Sequence, residues 1–168
     1  SSIEQVAHVL SDADVDLVVT ETVSLAEIVR TAAERTGRHH VVVLSLDSEA
    51  IETLVADGAG VPRATVAART GALTKDDIST IVYTSGTTGT PKGTVLTHEN
   101  FTNLCLNSHA WMPEIAAGED SRLLLFLPLA HVFARFLQVF QISGNGVMAH
   151  VSNIKNLLPD LASFRPSY

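Results

Sequence analysis

The sequence predicts an α/β fold, a parallel or mostly parallel sheet layered with helices. Two short runs, DVDLVVTE (14–21) and HVVVLSL (40–46), have continuous apolar centres, the pattern of strands buried on both faces. Between them SLAEIVRTAAERTG (24–37) places Leu25, Ile28, Val29 and Ala32 on one helical face. The resulting strand–helix–strand–helix order favours parallel pairing through right-handed crossovers. At 168 residues the chain can bury a real core, ~70% of its unfolded surface, and residues 1–168 read as a single α/β segment.

Each element has its own local signal. Ser24 and Glu27 form a capping-box pattern for the first helix, and Gly37 is a C′ stop. Asp47 or Ser48 can cap a second helix through EAIETLVADG. Residues 58–77 form a softer connection with a short helix over 62–69. STIVYTS (79–85) is a strand running into a glycine-rich stretch. TVLTHENFTNLCLNSHAWM (94–112) begins as a strand and turns helical at a cap near Thr97, with Phe101, Leu104, Cys105 and Ser108 facing inward. Trp111 and Met112 read as packing at that helix's end. SRLLLFLPL (121–129) is a buried strand ended by Pro128, and HVFARFLQVFQI (131–142) is helical with Val132, Phe136, Val139 and Phe140 in phase. Gly144–Gly146 turn the chain into a strand at VMAHV, and Asn153 caps a last helix.

Composition narrows the function classes. Apolar residues make up 46% and charged residues 17%, a globular balance, and the net charge of −7 argues against nucleic acid as a partner. The single cysteine, Cys105, fits a reducing compartment. No apolar run reaches the ~20 residues of a spanning helix, so a soluble, cytoplasmic protein is expected. The first residue is not Met, no leader pattern precedes the fold, and FRPSY (164–168) stops in a helix-to-strand connection; both ends read as cut from a longer chain. No His/Cys/Asp/Glu spacing suggests a protein-bound metal.

Chemistry concentrates in YTSGTTGTPKG (83–93), which holds three glycines, five Ser/Thr hydroxyls and a lysine but no acid in an otherwise acidic chain. A strand ending in such a stretch can aim several backbone N–H groups at one anion, and Lys92 adds positive charge. Asp or Glu here would repel a polyphosphate. Walker A fails because Pro91 stands where its second glycine is required and Lys92 is followed by Gly93 in place of Ser or Thr. The dinucleotide pattern fails because no glycine lies between Gly86 and Gly89 at the needed spacing.

This run resembles the signature of adenylate-forming enzymes, the acyl-CoA synthetases, luciferases and adenylation domains of peptide synthetases. The resemblance implies that Thr84, Ser85, Gly86, Thr87, Thr88, Gly89 and Lys92 hold the β- and γ-phosphates of ATP while a carboxylate attacks the α-phosphate. LPLAHVFAR (127–135) is similar to the long-chain fatty-acid–CoA ligase branch of bacterial type. There the resemblance implies a catalytic place for His131, near the acyl carboxylate and the α-phosphate. Arg135 lies one turn further on, and its plainest reading is a surface arginine.

Together the resemblances imply part of a large N-terminal domain in a ligase that makes acyl-AMP and then acyl-CoA. They imply ATP, Mg²⁺ arriving with ATP, CoA and a long-chain fatty acid as its cofactors and substrates. Later family motifs, including a small domain with a catalytic lysine, fall outside these residues, so the 168-residue chain is expected to be inactive alone. Within the family the alternative is a ligase passing its acyl group to a carrier protein. Outside it stands a non-catalytic nucleotide-binding module. Long-chain substrates partition into membranes, so the full-length protein can contact a bilayer surface.

Overall fold

A computed structural model describes residues 2–85, 90–113 and 121–167. In chain order these form α1 (Ile3–Asp12), β1 (Leu17–Thr20), α2 (Val23–Arg35), β2 (Val42–Ser45), α3 (Ala50–Gly58), α4 (Arg63–Ala72), β3 (Ile78–Ser85) and β4 (Pro91–Thr97). There follow α5 (His98–Trp111), β5 (Arg122–Leu125), α6 (Val132–Ile142), β6 (Val147–His150), a 3₁₀ turn (Ile154–Asn156) and α7 (Leu157–Phe164). The α/β class with parallel pairing is borne out. Among the described residues the strands form three two-stranded sheets, β1–β2, β3–β4 and β5–β6. The first and last are parallel, with Leu17 opposite Val42 and Arg122 opposite Val147.

Two compact units emerge, Ser1–Thr74 with Tyr83–Thr94, and Lys75–Val82 with Val95–Tyr168. In the first, α1 carries an apolar stripe of Ile3, Val6, Ala7 and Leu10 at helical spacing. It packs on Val29, Ala32 and Ala33 of α2, with Val18 and Val43 beneath. Ser2 and Gln5 form the capping box that starts α1, Gln5 N–H donating to Ser2 Oγ and Ser2 N–H to Gln5 Oε1. No helix was expected over these first residues, although Ser-x-x-Gln is its signal.

α2 begins at Thr22, whose hydroxyl accepts from Leu25 N–H, so the cap lies two residues before Ser24. The reason is distant in sequence: Asp47 accepts from Val23 N–H through both carboxylate oxygens, at 3.0 and 3.2 Å. Asp47 therefore serves α2 and leaves α3, whose N-cap Glu49 makes no side-chain cap bond. The buried face of α2 is Ala26, Val29, Ala32 and Ala33, while Leu25 turns outward. Gly37 adopts φ +68°, the left-handed stop expected of it. β1 and β2 bury one face only: Leu17, Val19 and Val42 remain 45%, 44% and 53% exposed, against the expectation of two covered faces.

In the second unit, Asn100 Oδ1 accepts from Thr97 N–H at the start of α5, and Phe101, Cys105 and Ser108 are buried as expected. Leu104 turns outward, and Trp111 is 84% exposed, so it is not helix-end packing. Cys105 meets Phe140 of α6, with Phe136 and Val139 alongside. Leu123, Leu124 and Leu125 of β5 are all buried. Arg122 clasps the far end, its guanidinium donating to Phe164 O at 2.6 and 3.0 Å and stacking 4.3 Å over the Phe164 ring. Asn153 caps the final turn by accepting from Lys155 N–H.

Candidate functional site

The glycine-rich segment is carried by two strands. β3 ends with Tyr83, Thr84 and Ser85, and β4 begins with Pro91, Lys92 and Gly93. Of the sequence-predicted phosphate ligands, Gly86, Thr87, Thr88 and Gly89 lie outside the described residues. The five residues between the strands are too few for a parallel crossover, which takes a dozen or more. Thr84 and Lys92 are both exposed, and among the described residues no salt bridge engages the Lys92 ammonium. A strongly hydrated ammonium left unpaired beside small donors can meet an anion without first breaking an internal ion pair.

Two hydrogen bonds hold the flanks of this segment. The Tyr83 hydroxyl donates to Asp12 Oδ2 at 2.5 Å. His8 Nε2 lies 2.9 Å from Pro91 O. A carbonyl can only accept, so His8 must carry its proton on Nε2. The His8 and Tyr83 rings also meet edge to face at 6.4 Å between centroids. Burial, and then the Asp12 carboxylate, push the Tyr83 hydroxyl up to about 12. Sequence reasoning missed His8 and Asp12, because their partners stand 83 and 71 residues away and no local pattern announces them.

His131 stands at the N-cap of α6, after the turn that follows β5. Its backbone is extended (φ −87°, ψ 132°), its N–H donates to Pro128 O and its carbonyl accepts from Arg135 N–H. The side chain is exposed. Arg135 is half-buried and its Nε is shut off from solvent without a partner among the described residues, so it is not a plain surface arginine. Thr84 and Lys92 belong to the first unit and His131 to the second.

Within the second unit, α5 and α6 border a cavity of about 570 Å³. Phe101, Cys105, Leu106 and Val139 give it apolar walls, and His98 and His109 add polar points. Its size falls in the range of small-molecule sites.

The family model of the AMP-binding enzyme matches residues 1–165. The chain belongs to the AMP-binding enzyme family. Over 99% of its length it is 39% identical to the long-chain-fatty-acid–CoA ligase FadD15 of Mycobacterium tuberculosis. It spans about 28% of that relative's length. Long-chain-fatty-acid–CoA ligase 4 of Saccharomyces cerevisiae is 36% identical over 55% of the chain and 14% of its own length. Among solved structures, a Mycobacterium tuberculosis fatty acyl CoA synthetase superposes with TM-score 0.70 at 20% identity, covering 99% of this chain and 31% of that one. That likeness shows the fold. In this AMP-binding segment no helix among the described residues is long and apolar enough to cross a membrane.

Proposed function

We propose that the full-length protein activates a long-chain fatty acid with ATP, forming acyl-AMP and pyrophosphate and then acyl-CoA. The observation that carries this reading is YTSGTTGTPKG on its two strands, with Lys92 exposed and unpaired among the described residues. Thr84, Ser85, Gly86, Thr87, Thr88, Gly89 and Lys92 would grip the β- and γ-phosphates. Donors fixed before reaction cost no reorganisation when charge builds on the departing pyrophosphate. Mg²⁺ arriving with the nucleotide would add positive charge at the phosphates that these residues would hold.

His131, exposed at a helix start after β5, is the side chain we assign to the acyl carboxylate and α-phosphate. The likeness to FadD15 over 99% of the chain supports the acid class, and the apolar cavity beside α5 and α6 offers room for an alkyl chain. In this reading residues 1–168 form one segment of a larger nucleotide-binding domain, and the catalytic-lysine domain lies outside them. The working location is the cytoplasm, with peripheral contact at a bilayer where long-chain acids partition.

Calorimetry of the full-length protein with ATP and with pyrophosphate tests the phosphate grip. Wild type should bind both, and Lys92→Ala should weaken each by about tenfold or more, the loss of one charge-assisted hydrogen bond. Equal binding by both proteins would sink it. Offering CoA and a phosphopantetheinyl carrier protein to the adenylate decides the acceptor.

A further inference from the structure

The apolar stripe of α1 (Ile3, Val6, Ala7, Leu10) already fixes that helix to α2 and the β1–β2 pair. His8 and Asp12 lie on the opposite side, four residues and so one turn apart, about 6 Å along the axis. They contribute nothing to the apolar core. Both nevertheless reach chain far away in sequence, and both reach it at the borders of the same glycine-rich segment. Tyr83 is the last residue before the phosphate ligands begin, and Pro91 immediately precedes Lys92.

We propose that α1 positions the phosphate-binding segment by holding both of its flanks, Asp12 fixing β3 through Tyr83 and His8 fixing β4 through the Pro91 carbonyl. The two ties hold Tyr83 and Pro91 to one helix, so the strand ends that flank the segment start from a fixed span. Closing a segment between fixed ends removes chain entropy before the ligand arrives, which strengthens binding without adding a contact. The Tyr83 hydroxyl keeps its proton far above neutrality and therefore stays a donor to Asp12. His8 and Asp12 are positioning residues: neither is placed on nucleotide or acid.

This inference rests on the segment being the ATP grip, and the test separates the two. In the full-length protein, ATP-dependent acyl-AMP formation is measured with ATP and fatty acid varied in turn. His8→Ala, Asp12→Ala and Tyr83→Phe should each raise the KM for ATP about fivefold, the scale of one net hydrogen bond. The KM for fatty acid should not move. Asp12→Asn retains an acceptor and His8→Gln a donor, so both should recover most of the loss. Because Asp12 and Tyr83 form one bond, the Asp12→Ala/Tyr83→Phe double variant should be no worse than either single change. Lys92→Ala is the control. If it raises the KM for ATP and the α1 variants do not, or if they raise both KM values equally, the positioning role is wrong while the phosphate grip stands. If Lys92→Ala leaves the KM for ATP unchanged, the grip itself is wrong and the inference falls with it.

Discussion

β1–β2 and β5–β6 are both parallel pairs of four-residue strands, and β1, β2 and β5 all read in sequence as buried apolar strands. Their surroundings differ. Leu123 and Leu125 of β5 retain 6% and 3% of their exposure, whereas Leu17 and Val19 of β1 retain nearly half. In the first unit Val18 and Val43 face the helical core, so the alternating partners Leu17, Val19 and Val42 face away from it. An unbroken apolar run thus states what a strand tolerates on its two faces, while the number of covered faces depends on which helices the topology delivers.

Chemical denaturation gives the most direct way to break this comparison. Leu124→Ala should cost about 2–5 kcal/mol, the usual loss for a buried leucine. Val19→Ala should cost under about 1 kcal/mol, since the side chain is already wet. Equal losses would mean that the outer face of β1 is covered in the protein as tested. Glycines sharpen the contrast at a smaller scale. A Cβ on Gly146, just before β6, would meet Gln141 Nε2 at 2.0 Å and the Ser121 carbonyl oxygen at 2.7 Å. Gly146→Ala should therefore destabilise by about 1–3 kcal/mol. Gly71 sits in α4, which buries none of its residues, and a Cβ there meets nothing within 4 Å. Gly71→Ala should stabilise by about 0.5–1 kcal/mol through lower unfolded-state entropy.

The smallest effect is set by pH. The Tyr83 hydroxyl titrates near 12 when folded against 10.0 otherwise. The folded state holds this proton more tightly, so the contribution is complete below pH 10 and disappears as pH rises toward 12. The ultraviolet difference between wild type and Tyr83→Phe should show phenolate appearing near pH 12; a midpoint near 10 would mean that the Asp12 tie is not formed. Asp14 runs the other way. The hydrogen bond from Arg38, at 2.6 Å, holds its carboxyl below the ordinary value of 3.8, so its contribution is present above that pH and is lost as acid titrates the folded group.

Much of the fold was legible because its signals are local. Gly37 and Thr97 mark helix ends by their own chemistry, and each does so in the structure, while Asn153 caps the 3₁₀ turn and the last helix starts after it, at Asn156. The misplaced start of α2 shows where local rules stop. Ser24 and Glu27 satisfy the capping pattern, but Asp47, delivered by the end of β2, binds Val23 N–H and draws the helix start forward. The glycine-rich segment was legible from composition and spacing. Its supports were not, since His8 and Asp12 acquire meaning only when α1 is laid against Tyr83 and Pro91.

Asp47 has a consequence for where nucleotide can go. The start of a helix after a parallel strand is the place where many α/β proteins receive phosphate. At α2 that place is taken by a carboxylate from the chain itself, steadied by the Ser45 hydroxyl at 2.5 Å. The protein supplies its own resident anion there, and a phosphate approaching α2 meets negative charge in place of open donors. One βα junction is thereby closed to an incoming anion, whereas the stretch between β3 and β4 carries no acid in its sequence.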